Sequence, residues 1–434
     1  MVRKTRCCAL LMAIFILCTA YPVAAADKPA LQSESAVLMD GSTGQILYEE
    51  DMHRRMYPAS MTKIMTALLA LELGDPDDTV TMSDNAVASI SRGSSNIALV
   101  PGEELTLEQA LYALALVSAN EAANGIAEHI GGTMAGFAAL MNARAREAGA
   151  LDTNFVNANG LNNANHYTTA YDMARITLEA IKNPAFKEIF GALSYNIPPT
   201  NKQPQARALH CTNLMKRGRY QYEGIVAAKT GWTRQAKHTL MTVAERDGRT
   251  LIGVVMKSGG KRDRWEDMTE LLDYGFENFT QISFSAEELR REGISAEQGF
   301  SCLIPSALTK ADVDIAYTTA AGAQGEPAVK AVFTLKAHGY YAALGELEMQ
   351  AAQPVNADVA GETKDPADAS AQKKSLKPWI VSIAGLILAC LVSGFLVKKR
   401  RQARRRPTGN ITIRLNQTPA GYALHAGKMR RRRR

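Results

Sequence analysis

The amino-acid sequence predicts an α/β sandwich, one sheet with helices packed on its faces. Two strand pairs and the stretch between them carry that prediction. Ala36-Val37-Leu38-Met39 and Gln45-Ile46-Leu47-Tyr48 flank Asp40-Gly41-Ser42-Thr43-Gly44, a hairpin signal near the start of the chain. His238 to Arg246 and Thr250 to Met256 flank Asp247-Gly248, and Asp-Gly between two apolar runs is a strong hairpin signal. The middle is helical in pattern. A first and a last strand around a helical middle imply a single sheet.

In order along the chain, Ile64 to Leu73 is a run of apolar helix formers and reads as a buried helix. Pro58 suits its entry, and Gly74, Asp75 and Pro76 stop it. Thr79-Val80-Thr81-Met82 is strand-like. Thr106-Leu107-Glu108-Gln109 is a capping-box start to a helix through about Val117. Helices follow from Glu121 to about Ile130, closed by Gly131-Gly132, and from near Thr133 to Ala148. Residues 151–168 are rich in Asn and Gly and form an irregular loop. Thr169 caps the next helix, which ends before Asn183-Pro184. Ile225 to Ala228 is a strand that leads into Lys229, and a capped helix runs from Asp263 to about Phe279. Residues 283–352 show short β-like runs such as Ala331-Val332-Phe333-Thr334-Leu335, which indicates a small β-rich second domain after a first domain over 27–282.

The two ends have a different character. Residues 1–26 combine a basic start (Arg3, Lys4, Arg6), an apolar core and Ala24-Ala25-Ala26, the pattern of a secretory signal peptide. Residues 353–377 are a polar linker. Pro378 to Val397 carries no charge and is long enough to span about 30 Å of hydrocarbon as a transmembrane helix. Lys398-Lys399-Arg400-Arg401 opens a basic tail, 398–434, and places it on the cytoplasmic side.

With 434 residues the chain holds more than one domain. Its formal net charge is +7, but 398–434 contributes fourteen Lys or Arg and 1–26 three, neither with an acid. Taking those seventeen charges from +7 leaves the middle at −10. That acidic middle argues against a nucleic-acid partner. Of six Cys, only Cys211 and Cys302 lie outside the two apolar ends, so no disulfide framework is implied. The seven His show no ligand-like spacing, so no metal site and no cofactor are expected.

Ser60 and Lys63 stand three apart at the head of the first helix, on one face about a turn apart. An amine buried there is held neutral by desolvation and can accept the serine proton, giving a nucleophile with its own base. Ser258-Gly259-Gly260-Lys261 repeats the spacing, but in a glycine loop with no apolar helix behind it. Ser60-x-x-Lys63, Ser118-x-Asn120 and Lys229-Thr230-Gly231 follow in the order known from penicillin-binding proteins and class A β-lactamases. Ser83-Asp84-Asn85, Ser94-Ser95-Asn96 and Lys257-Ser258-Gly259 mimic the second and third motifs. Ser118 is preferred because it sits between two helices, and Lys229 because it ends a strand and Thr233 follows.

From about Ala36 to Phe279 the chain resembles the serine-type D-alanyl-D-alanine carboxypeptidases, the low-molecular-mass penicillin-binding proteins. The likeness includes Pro58-Ala59-Ser60-Met61-Thr62-Lys63, Asn159-Gly160-Leu161 with His166-Tyr167-Thr168-Thr169-Ala170, and Leu271-Leu272-Asp273-Tyr274-Gly275-Phe276. The resemblance implies a β-lactamase/transpeptidase-like sandwich, with the β-rich segment as the family's second domain. It also implies an enzyme that removes the terminal D-alanine from peptidoglycan stem pentapeptides in the cell wall and binds β-lactams covalently. In that scheme Ser60 attacks, Lys63 is the general base and Ser118 relays a proton to the leaving amine. Asn120 orients Lys63 and the substrate amide. Lys229 with Thr230 and Gly231 receives the substrate carboxylate, and arginine at 229, which keeps the charge, is expected to serve better than alanine. Backbone N–H groups of Ser60 and Trp232 form the oxyanion hole, and Arg264 is a second candidate for the carboxylate.

Two departures stand out: Lys237 where such proteins usually have glycine, and Glu121 where aspartate is common. Three rivals remain. A class A β-lactamase would need a glutamate to deacylate, and none lies between Glu147 and Glu179. A β-lactam sensor would have to signal through 398–434, which has no domain pattern. A pseudo-enzyme is opposed by the full set of catalytic groups.

Overall fold

A computed structural model of the chain describes residues 28–292, 294, 298–321, 327–335 and 343–349. The signal peptide, linker, transmembrane segment and basic tail expected from the sequence lie outside these residues. Among the described residues, no helix is long and apolar enough to cross a membrane.

Strands β1 (Ser35–Asp40) and β2 (Ile46–Glu50) form the expected first hairpin. A 3-10 turn, Ala59–Thr62, then feeds helix α1 (Lys63–Leu73). A small pair, β3 (Thr79–Thr81) and β4 (Glu104–Thr106), encloses the short helix α2 (Asp84–Ala88). Four longer helices follow: α3 (Leu107–Leu116), α4 (Asn120–Gly131), α5 (Met134–Glu147) and α6 (Ala170–Ala180). Thr106 and Gln109 make the predicted capping box of α3, while Thr133 and Thr169 cap α5 and α6 through their side chains. Helix α7 (Pro184–Gly191) and the hairpin of β5 (Ser194–Ile197) with β6 (Arg207–His210) were not legible in the sequence pattern.

Strands β7 (Ile225–Thr233), β8 (Lys237–Arg246) and β9 (Arg249–Ser258) complete the central sheet, which is antiparallel throughout in the order β2-β1-β9-β8-β7. Asp247 and Gly248 both take positive φ, 51° and 74°, as the tight turn between β8 and β9 requires. Helix α8 (Asp263–Asn278) follows. Alternation along the strands sorts the core into two faces. Val37, Met39, Met241, Val243 and Ile252 join the helical side, and Ala36, Leu38, Leu240, Leu251 and Val255 pack with Trp265, Met268 and Leu272 of α8. Helix α1 is buried from Lys63 to Ala70, so it is a core helix, and each large apolar side chain it buries stabilises the fold by about 1.5–3 kcal/mol.

Beyond α8, β10 (Phe279–Phe284) pairs with β11 (Phe300–Pro305), with helix α9 (Ala286–Arg291) between them. Strands β12 (Val313–Ala321), β13 (Pro327–Leu335) and β14 (Ala343–Met349) form a three-stranded sheet. Leu289, Phe300, Ile304, Val313 and Phe333 belong to the small core of this region. Cys211 and Cys302 are both buried free thiols.

Candidate active site

The Ser60 hydroxyl stands on the 3-10 turn that opens α1. Ala59, just before it, takes a left-handed φ of 49°, which costs a non-glycine residue roughly 1–2 kcal/mol. Several contacts hold that turn. Thr62 Oγ1 donates to the Ala59 carbonyl at 2.9 Å, and Thr239 Oγ1 reaches the Pro58 carbonyl at 3.3 Å. Two glycines allow backbone to touch backbone. A Cβ on Gly160 (φ 84°) would fall 1.9 Å from the Ala59 oxygen, and one on Gly231 would lie 3.0 Å from both Ala59 Cβ and the Pro58 oxygen. Strand β7 and the 157–161 loop therefore grip the nucleophile turn from two sides.

Lys63 is wholly buried, with its Nζ 3.4 Å from Ser60 Oγ, 2.7 Å from Asn120 Oδ1 and 2.6 Å from the Asn159 carbonyl. Burial pushes its pKa well below the usual lysine range. The Lys229 ammonium pushes the same way, and Glu121 opposes them. A neutral amine has two N–H bonds and one lone pair. In that form, with its N–H bonds spent on the two oxygens, the lone pair is what remains for the Ser60 hydroxyl.

His166 stands behind the turn. The Val156 N–H donates to its Nδ1 at 3.0 Å, which leaves the proton on Nε2 to be donated to Thr62 Oγ1 at 2.8 Å. Burial, helped by the nearby Lys63, lowers its pKa to about 4, so the ring is neutral.

Ser118 lies between α3 and α4 with a φ of 64°, a strained conformation that sets it apart from both helices. Lys229 Nζ donates to Ser118 Oγ at 3.0 Å and to the Thr230 carbonyl at 3.0 Å. Only 2% of Lys229 is exposed. Burial brings its pKa down to about 7; the Cys211 sulfur opposes that shift, while Arg264 and Lys216 add to it. Arg264, on the first turn of α8, is also buried. Its Nη1 donates to the Gly231 carbonyl at 3.3 Å and its guanidinium lies 4.4 Å from the Trp265 ring centroid. Burial lowers its pKa to about 10. Thr230 is half-buried beside these cations. Trp232 is 60% exposed with its ring 6.3 Å from that of His238.

Hydrogen bonds thus join Ser60, Lys63 and Asn120 in one group and Ser118 with Lys229 in a second, close enough for Lys229 to depress Lys63, with Arg264 tied to Gly231 beside them. The mimics lie elsewhere in role. Ser83 is the N-cap of α2, Ser258 is bonded to Ser33 Oγ at 2.7 Å, and Lys257 pairs with Glu34. The Ser94-Ser95-Asn96 run serves α4, because the Ser95 carbonyl accepts from Asn120 N at 2.9 Å. Glu121 holds that same loop through the Ile97 N–H at 2.6 Å. Asp263 does not cap α8 as expected; it is the first helical residue, and its carboxylate takes the Gly260 N–H instead.

Asn159 and His166 were visible only as members of a motif run, and neither was assigned to the site by sequence. Asn159 acts through its main-chain carbonyl, which no residue type announces. Among the described residues, no group of three or more His, Cys, Asp or Glu is placed to hold a metal ion.

Comparison with known proteins gives the family. Residues 22–260 match the D-alanyl-D-alanine carboxypeptidase family. The D-alanyl-D-alanine carboxypeptidase DacF of Bacillus subtilis is 35% identical over 253 residues, which cover 58% of this chain and 64% of that protein. A D-alanyl-D-alanine carboxypeptidase of Streptomyces sp. strain K15 is 31% identical, over 59% of this chain and 91% of its own length. The crystal structure of the Streptomyces K15 DD-transpeptidase superposes with a TM-score of 0.54 at 29% identity, covering 58% of this chain and 99% of that one. The D-alanyl-D-alanine carboxypeptidase structure from Mycobacterium tuberculosis H37Rv gives the same TM-score at 28% identity, covering 59% and 95%. With more than half of the sequence matched, the chain belongs to the D-alanyl-D-alanine carboxypeptidase family.

Proposed function

We propose that this protein is a serine D-alanyl-D-alanine carboxypeptidase that trims the terminal D-alanine from peptidoglycan stem pentapeptides and is acylated by β-lactams. One observation carries the reading: a buried lysine, in no salt bridge among the described residues, stands with its amine 3.4 Å from Ser60 Oγ.

The chemistry follows from the distances. Lys63 takes the Ser60 proton as Oγ attacks the carbonyl of the penultimate D-alanine, and backbone N–H groups of Ser60 and Trp232 receive the oxyanion. Collapse of the tetrahedral intermediate breaks the peptide bond. The leaving amine takes a proton from Ser118, whose hydroxyl is resupplied by Lys229, 3.0 Å away. The substrate carboxylate sits against Lys229, Thr230 and Arg264; support for this is that Lys229 and Arg264 bond the successive carbonyls of Thr230 and Gly231. Water then attacks the acyl ester as Lys63 returns its proton to Ser60 Oγ, and the proton released by water recharges Lys229 through Ser118, which frees Ser60 and resets both lysines. No glutamate lies between Glu147 and Glu179, and the wall beside Lys63 is the Asn159 carbonyl, so a penicilloyl ester should persist where a β-lactamase would clear it.

In the cell, the signal at 1–26, the apolar segment 378–397 and the basic tail support an extracytoplasmic catalytic region on a single membrane pass, with roles in cell-wall biogenesis and cell shape. Protease added to intact cells or protoplasts should remove the catalytic region and spare the tail, and protection of Ser60 would refute that topology. For the activity, labelled penicillin should attach to Ser60 and D-alanine should be released from a pentapeptide. Labelling that survives Ser60→Ala would overturn the assignment.

A further inference from the structure

We propose that Asn124 is a positioning residue of this reaction, holding the Asn159 carbonyl that aims the Lys63 amine at Ser60. This deepens the function proposed above and rests on Lys63 acting as the base.

Asn124 lies four residues after Asn120 on α4, so both carboxamides face the same way. It is wholly buried, and its hydrogen bonds fix its orientation. Oδ1 accepts from Asn159 Nδ2 at 2.8 Å, while Nδ2 donates to the Ala86 carbonyl at 3.0 Å and to Ser89 Oγ at 3.0 Å. Asn159 is held just as firmly. Its own Oδ1 takes the Leu161 N–H at 2.8 Å, and Gly160 N is tied to Asn157 Oδ1 at 2.7 Å. A flipped amide on either residue would set donor against donor. The main-chain carbonyl of the residue so held carries the shortest of the Lys63 contacts.

Helix α4 thus serves the base twice: directly through Asn120 and indirectly through Asn124. If Asn124 lost its acceptor, Asn159 Nδ2 would be buried without a partner, and the loop could recover it only by rotating away from Lys63. The charged groups facing Lys63 from its neighbours are Glu121 on α4 and Lys229 on β7, with neutral His166 behind the turn.

The test uses the full chain and a fluorescent penicillin, with the acylation rate constant followed from acid to neutral pH. Asn124→Leu should lower the limiting rate about tenfold, the scale of one lost hydrogen bond. It should also move the acid limb to lower pH, because the Lys63 ammonium loses an acceptor. Asn124→Asp keeps the acceptor for Asn159 and places a carboxylate near the ammonium, so its acid limb should move to higher pH. Opposite displacements establish action through Lys63. A residue that only packs would lower thermal stability and leave both limbs in place, and that result overturns the proposal. If Asn124→Leu does not fold, an unmoved limb in Asn124→Asp overturns it alone. Failure of the underlying function looks different: the wild-type chain would not be labelled, or Ser60→Ala would be.

Discussion

Lys229 offers the sharpest test of mechanism. Its ammonium is enclosed, bonded to Ser118 Oγ and the Thr230 carbonyl, and its pKa is brought down to about 7. In the proposed mechanism it is the charged form that attracts a substrate carboxylate and resupplies Ser118. In the free enzyme kcat/KM should therefore fall above about pH 7, close to tenfold per pH unit once the group is mostly neutral. Lys229→Ala removes a charge-assisted contact worth about 1.5–3 kcal/mol, or roughly 10- to 150-fold in kcat/KM. Sequence alone makes charge the deciding property and ranks arginine above alanine at this position. The closed slot reverses that order. A guanidinium is larger than an ammonium and needs a planar fork of partners, and overpacking a buried site costs about 1–3 kcal/mol. Lys229→Arg should therefore lose at least as much as Lys229→Ala. Steady-state release of D-alanine from a D-alanyl-D-alanine peptide, measured from pH 6 to 9, reads all of this. A flat profile together with a nearly wild-type Lys229→Ala would refute the third-motif assignment.

Three further outcomes follow from the geometry. Gly160→Ala should destabilise by about 2 kcal/mol or more and slow acylation, since its Cβ meets the Ala59 oxygen at a positive φ; urea unfolding within error of wild type would count against it. His166 has a folded pKa of about 4 against 6.5 unfolded, so the unfolded chain binds the extra proton and stability falls as pH drops through that window, by about 3 kcal/mol from this group. His166→Gln should flatten the difference between unfolding at pH 7 and pH 4.5, and an unchanged difference would refute the assignment of that slope to His166. Lys237 takes a φ of 54° where glycine is usual, so Lys237→Gly should leave kcat/KM unchanged and stabilise by up to about 1 kcal/mol in denaturation; a fall in kcat/KM would make Lys237 a carboxylate ligand.

The parts of this molecule that were legible in sequence are those whose signals are local. A capping box at Thr106, an Asp-Gly turn at 247–248 and an apolar run after Lys63 each act within a few residues. The three motifs were legible because each carries side-chain chemistry. Helices α2 and α7 were missed because so few turns leave no clear period. In sequence Asn183-Pro184 signals a stop, although Asn183 also caps α7 and Pro184 is its first residue. Asn159 was missed as a site residue because its contribution is a carbonyl. His166 was missed because its partner Thr62 is 104 positions away. Burial at Lys229 and Arg264 depends on strands and helices meeting in space, which a residue list cannot express.

That burial has a consequence for substrate binding. Lys229 and Arg264 are both lowered by desolvation, Arg264 further depresses Lys229, and Lys229 depresses Lys63. A carboxylate entering this end of the cleft supplies the missing negative charge, and it must favour the protonated form of Lys229 most, since that group titrates nearest neutrality. Binding and protonation are then linked: at pH 8 the free enzyme is mostly neutral at Lys229, and the complex is charged, so binding takes up about one proton. Ser60→Ala lets this be measured without turnover. Its titration with a D-alanyl-D-alanine peptide at pH 8, in buffers of different ionisation enthalpy, should give heats that rise or fall with the buffer by the equivalent of that proton. The effect should fade toward pH 6, where Lys229 is already charged, and vanish in Lys229→Ala. Heats independent of buffer at pH 8 would mean that the carboxylate is met by Arg264 alone, and that Lys229 serves Ser118 only.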